Sequence, residues 1–188
     1  MPILTAKVDQ ILESIDASSP ERYRIMRLLE ECQWNERAIM EYRMHQVRAA
    51  ASELARRKII DEFEEGECLI IWDFSMKILP CEANEKQSNF YGKKGVSMHA
   101  AYAIAKLGGQ LYCHTFSHFA QDLVQNAIAV VGIAFQVLTM LKENGVKSVF
   151  LRSDTAAYYR CSSVISTIYV LAQKIGIVVN GYVFSESQ

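Results

Sequence analysis

Two acids stand out by their surroundings. Asp73 closes the apolar run CLIIWDF (68–74), and Asp154 closes VKSVFLRSD (146–154), so each carboxylate ends a stretch patterned like a buried strand. In an open sheet, ligands collect beyond the carboxyl ends of strands, and acids placed there can converge although 81 positions separate them. Two converging carboxylates need a shared proton or a cation to offset their repulsion, and a hard, oxygen-preferring ion such as Mg²⁺ meets that need. Each acid also has a plainer reading, Asp73 as the cap of a turn and Asp154 as the N-cap of a helical segment from Thr155 to Ser163.

Nearby cations are few. Lys77 lies four positions past Asp73, and Lys93 and Lys94 sit in the turn YGKKG beside Phe90 and Tyr91. These lysines could meet phosphates, with the aromatic rings stacking on bases, or could simply solvate a loop. His99, His114, His118 and Cys113 invite a metal reading, but His114 and His118 align at i, i+4 only on a helix. On a strand they share a face about 13 Å apart, so the histidines read as core or sheet-surface residues.

Composition limits what must hold these groups in place. The 188 residues carry 20 Lys+Arg and 21 Asp+Glu, are 51% hydrophobic, and have a mean hydropathy of +0.04. Those are globular proportions, which exclude disorder and fibrous repeats, and a near-neutral charge confines any phosphate-binding surface to local patches. Five scattered cysteines (Cys32, Cys68, Cys81, Cys113, Cys161) form no CxxC pair, which implies reduced thiols and an intracellular setting, nuclear or cytoplasmic. Lys7, Asp9 and Glu13 interrupt any signal-peptide core. From Leu123 to Leu141 run 19 residues without a formal charge, the length of a bilayer span, but Gln125, Asn126, Gln136 and Thr139 within it favour a buried helix and no membrane.

Residues 1–65 read as a helical arm. Ser18 with Glu21 has capping-box spacing around Pro20, and no Gly or Pro follows until Gly66. Residues 66–188 change period. Strands are expected at 68–74, 96–104 and 110–118, then a helix at 121–143, a strand at 146–154, a helix at 162–175 and a strand at 177–184. The order is β-β-β-α-β-α-β behind a helical arm, an α/β mixed sheet with an antiparallel meander followed by right-handed crossovers.

With acids after its first and fourth strands, this arrangement resembles the ribonuclease-H-like catalytic core of DDE transposases and retroviral-type integrases. The resemblance is carried by IIWDFSMKILP around Asp73, QSNFYGKKGVSMH (87–99), FLRSDTAAYY around Asp154 and the C-terminal GYVFSESQ. It implies two-metal phosphoryl transfer on DNA, strand cleavage or transfer, with Mg²⁺ or Mn²⁺ held by Asp73, Asp154 and a third acid. Glu186 is the acid available for that third place, on a core that ends before the helix which normally carries it. DNA would be the partner, with Lys77, Lys93 and Lys94 on its phosphates. A homo-oligomer is compatible with the family, and no small-molecule substrate is expected. The alternative is a transposase-derived fragment without catalysis that binds nucleic acid or protein.

Overall fold

The structure is a computed structural model that describes residues 2–75, 77–79, 83–84, 86–88, 95–120 and 125–185. The chain divides into two compact units, Met1–Ala50 and Ala51–Gln188. In the first, α1 (Pro2–Ser14) is followed by α2 (Pro20–Asp61), which continues into the second unit. The turn between the two helices is fixed by Arg22, whose guanidinium donates to the carbonyls of Leu12 and Ile15. The start of α2 is shifted by one residue from the capping-box reading. Ser19 Oγ accepts from the Glu21 N–H at 3.2 Å, because Ser18 is already bound to the carboxylate of Asp16.

The second unit carries the sheet: β1 (Glu67–Phe74), β2 (Ser97–Leu107), β3 (Gln110–Ala120), α3 (Ala127–Glu143), β4 (Ser148–Ser153), the single turn α4 (Ala157–Arg160), α5 (Ser162–Ile175) and β5 (Val178–Phe184). The strands lie in the order β3-β2-β1-β4-β5. β1, β2 and β3 pair antiparallel, whereas β4 is parallel to both β1 and β5. A three-stranded meander extended by two parallel crossover strands is the ribonuclease-H-like α/β fold.

Alternation along the strands decides which face is dry. Cys68, Ile70, Trp72 and Phe74 of β1 join Ala101, Ala103 and Ala105 of β2 and Val149 and Leu151 of β4 in one core with α3 and α5. The alanines on β2 leave room for bulky neighbours. α3 presents Val130, Ile133, Ala134, Val137, Leu138 and Leu141 to this core, so the uncharged run is an interior helix. Among the described residues no helix is long and apolar enough to cross a membrane. α3 starts at Ala127, six residues later than expected, because the Asn126 side chain accepts from the Ala129 N–H at 2.9 Å and caps it there.

The antiparallel half is clamped to the short segment between α2 and β1. Gly108 and Gly109 both have positive φ, 60° and 74°, giving β2 and β3 the two-residue hairpin that only glycine-like residues enter without strain. Glu65 accepts from both of their N–H groups, and Lys106 Nζ donates to the Phe63 carbonyl at 2.8 Å.

Candidate active site

The geometry of the two acids follows from the sheet. β1 and β4 run parallel, with Ile71 opposite Arg152, so Asp73 and Asp154 each stand two residues further along. Neighbouring strands are about 4.8 Å apart, which brings the two acids side by side at the carboxyl end of the sheet. Asp73 alternates with Trp72 and Phe74, which face the apolar core, and so projects from the opposite face, whereas Asp154 lies one residue past the end of β4.

Electrostatics carry the mark of that proximity. Asp73 is solvent-exposed, yet the mass of the strand end withdraws part of its hydration and raises its pKa, and the charge of Asp154 raises it further. A hydrogen bond from the Phe74 N–H opposes the rise. Asp154 is half-buried, and its Oδ1 accepts from the Ala156 N–H at 3.0 Å. That bond closes a local turn and is not the expected helix cap: α4 begins at Ala157 with Ala156 as its N-cap and no side-chain cap, and α5 starts separately at Ser162. The bond orients the Asp154 carboxylate.

Beneath the acids lies an aromatic shelf. Trp72 stacks on Tyr159 with ring centroids 6.4 Å apart, and its Nε1 donates to Tyr182 Oη at 3.1 Å. Tyr158 meets Phe74 edge to face at 5.4 Å. Burial pushes the pKa of Tyr158 and Tyr159 up, and the carboxylates of Asp73 and Asp154 push the same way. These tyrosines therefore stay protonated and can donate but not ionise. The tandem Tyr158-Tyr159, four and five positions past Asp154, was the signal that could have placed an aromatic support here.

On the acid face, Arg152 is the cation nearest Asp154 in sequence. It is committed elsewhere: its guanidinium donates to Ser52 Oγ at 3.0 Å and to the Ser52 carbonyl at 3.3 Å, fastening β4 to the end of α2. Desolvation lowers its pKa, the neighbouring Glu53 raises it and Arg56 lowers it, but a guanidinium remains charged throughout. Nothing in the pattern FLRSD distinguished this anchoring arginine from a phosphate ligand.

The remaining sequence candidates divide. Lys77 is exposed on the segment after β1, beside the isolated Ile78–Val96 bridge that lies just beyond the end of the β1–β2 ladder. Lys93, Lys94 and Glu186 lie outside the described residues. Ser185, immediately before Glu186, donates from its N–H (2.8 Å) and its Oγ (3.0 Å) to the Ser153 carbonyl, next to Asp154. His99 is wholly buried in the core and His114 and His118 share one face of β3, which agrees with a structural reading of the histidines. Among the described residues, no group of three or more His, Cys, Asp and Glu converges as a metal cluster. The acid pair supplies two hard oxygen donors whose mutual repulsion a divalent cation would relieve, a fit in chemical kind for Mg²⁺ or Mn²⁺ that leaves further ligands to be found.

A comparison with the curated proteins returns no match. Among solved structures the chain is similar to a Mos1 transposase paired-end complex with left transposon end (12% identity, 93% of this chain, 57% of that one, TM-score 0.39). It is also similar to Thermus thermophilus RuvC (19% identity, 45% of this chain, 57% of that one, TM-score 0.30). The chain thus matches little more than half the length of either protein, and the fold assignment rests on strand order and direction rather than on these scores. Residues 53–188 match the family described as Domain of unknown function (DUF8701), and the chain belongs to that family.

Proposed function

We propose that this chain carries the catalytic core of a DDE-type polynucleotidyl transferase, acting on DNA by metal-dependent phosphoryl transfer. The observation that carries the reading is the side-by-side placement of Asp73 and Asp154 at the carboxyl ends of two parallel central strands, with the charge of one raising the pKa of the other. Bound Mg²⁺ or Mn²⁺, two ions in the full site, would supply Lewis-acid activation of a water or a DNA 3′-hydroxyl and offset charge at the phosphodiester.

The chain's own residues contribute holding and orientation. Asp73 binds a cation as the carboxylate, so metal affinity should rise with pH through its titration. Asp154, pinned by the Ala156 N–H, offers its second oxygen to the same cation. Glu186 follows the anchored Ser185 and is the proposed third acid, while Lys77, Lys93 and Lys94 are the proposed phosphate contacts. Residues 1–65 serve as an arm that joins the core, 66–188, to other domains or partners.

The test is thermal unfolding of the full chain with and without Mg²⁺ or Mn²⁺, together with cleavage of a labelled DNA duplex. Saturation to a hundred times Kd adds about 2.7 kcal/mol, a rise of several degrees in Tm for a chain of this size. Asp73→Asn should abolish both the rise and the cleavage. A wild-type chain that neither shifts with metal nor cuts DNA supports instead a transposase-derived binding module without catalysis.

A further inference from the structure

The two edges of the sheet are unlike. β5 is seven residues long, contains Gly181 and meets β4 through a register irregularity at Val149/Phe150. β3 is eleven residues long, pairs with β2 without a break from Gln110 to Ala120, and contains neither a charged residue nor proline. Proteins blunt exposed edges with lysine, proline, bulges or short strands, and β3 has none of these. Among the described residues no strand pairs with its outer side.

The hairpin fixes which groups that edge presents. In a two-residue hairpin the flanking residues, here Leu107 and Gln110, exchange both hydrogen bonds. Even-numbered residues of β3 therefore bond to β2, whereas Leu111, Cys113, Thr115, Ser117 and Phe119 aim their N–H and C=O groups outward. Those five positions are symmetric about Thr115. If two copies of β3 pair antiparallel with Thr115 opposite itself, every outward group finds a partner. Leu111 and Phe119, each 58% exposed, then lie opposite each other twice, and Cys113 lies opposite Ser117. No charge opposes a like charge anywhere in this register.

From this self-complementarity we infer that β3 is the dimerisation edge of the protein: a second copy of this chain extends the sheet across a two-fold axis at Thr115. The isologous register closes the interface by using the β3 edge of both copies, and leaves only the short, irregular β5 edges outermost. It places the dimer seam two strands away from the Asp73–Asp154 pair, so the interface and the acids are separable by mutation.

Sedimentation of the full chain over a range of concentrations tests this. The wild type should be dimeric. Phe119→Lys, which inserts a charge at two symmetric places, should raise the dimer Kd at least about tenfold. Thr115→Pro deletes an outward N–H without touching the β2 ladder and should act likewise, with circular dichroism confirming that each variant is folded. In a Cys113→Ser background, Thr115→Cys should oxidise to a covalent dimer, as expected of a residue opposite its own copy. A wild type that is monomeric at tens of micromolar, or a dimer unchanged by both edge variants while Thr115→Cys fails to cross-link, overturns the inference.

Discussion

Trp72 and Asp73 are adjacent in sequence and leave β1 on opposite sides. The Trp72 side is dry: with Phe74, Tyr159 and Tyr182 it forms an aromatic layer in which His99 is fully buried, and among the described residues neither nitrogen of His99 nor the hydroxyl of Tyr159 has a hydrogen-bond partner. The other side buries Leu69 but ends in the exposed Asp73, whose pKa is raised by desolvation and by the charge of Asp154. Both faces disfavour charge on their titratable groups, by burial on one and by repulsion added to burial on the other. Only on the acid face can an added cation reverse the penalty. The same strand thereby separates a stability problem, solved by neutrality, from a binding site, created by leaving the charge unresolved.

The largest effect that would break this comparison is Trp72→Ala. Removing a fully buried indole that stacks on Tyr159 and bonds Tyr182 should cost about 3–5 kcal/mol in urea denaturation. Loss of under about 1 kcal/mol would mean that the dry face does not support the sheet beneath the acids.

His99 gives the next effect. Burial, with a smaller contribution from His118, lowers its pKa to about 4, against 6.5 for an ordinary histidine. The folded state therefore requires the neutral ring, and the unfolded chain binds the extra proton. Stability should fall as pH drops from about 6.5 towards 4, by about 3 kcal/mol in full. His99→Phe should flatten most of that slope, leaving the smaller share of His118, whose pKa is also lowered, chiefly by desolvation. Equal slopes in wild type and variant would remove His99 from the account.

The smallest effect has the opposite sign. Because the pKa of Asp73 is raised in the fold, the folded state holds its proton more tightly than the unfolded chain does, and stability is lost as pH rises through that titration. Without metal at pH 7, Asp73→Asn should stabilise the chain, by under about 1 kcal/mol given the solvent screening of an exposed carboxylate. With millimolar Mn²⁺ the order should invert, wild type above variant. A variant less stable in both conditions would show that Asp73 is a structural carboxylate.

Much of the fold was legible because its signals are local. α5 begins and ends as its pattern predicts, since Gly176 at φ 83° stops it with its N–H on the carbonyls of Ala172 and Gln173. The acid at the end of β1 was readable from the apolar run that it closes. What was not legible depends on distant partners. Asn126 looked like a polar interruption within an apolar run, and only the backbone path reveals it as a cap. The commitment of Arg152 to Ser52 joins positions a hundred residues apart, which no spacing rule encodes. The complete burial of His99 has no local sign in the sequence.

The parallel pairing of β1 with β4 has a consequence for how the molecule comes into being. β1, β2 and β3 are consecutive in the chain and joined in part by a two-residue turn, so this half can zip from near neighbours. β4 must wait until α3 has been made and has crossed back over the sheet. The acid pair is thus a late product of assembly, present only once the strand order is complete. During synthesis on the ribosome, the emerging chain has no paired carboxylates to offer a cation until more than 150 residues are available. In any partly opened form that releases β4, the pair is lost.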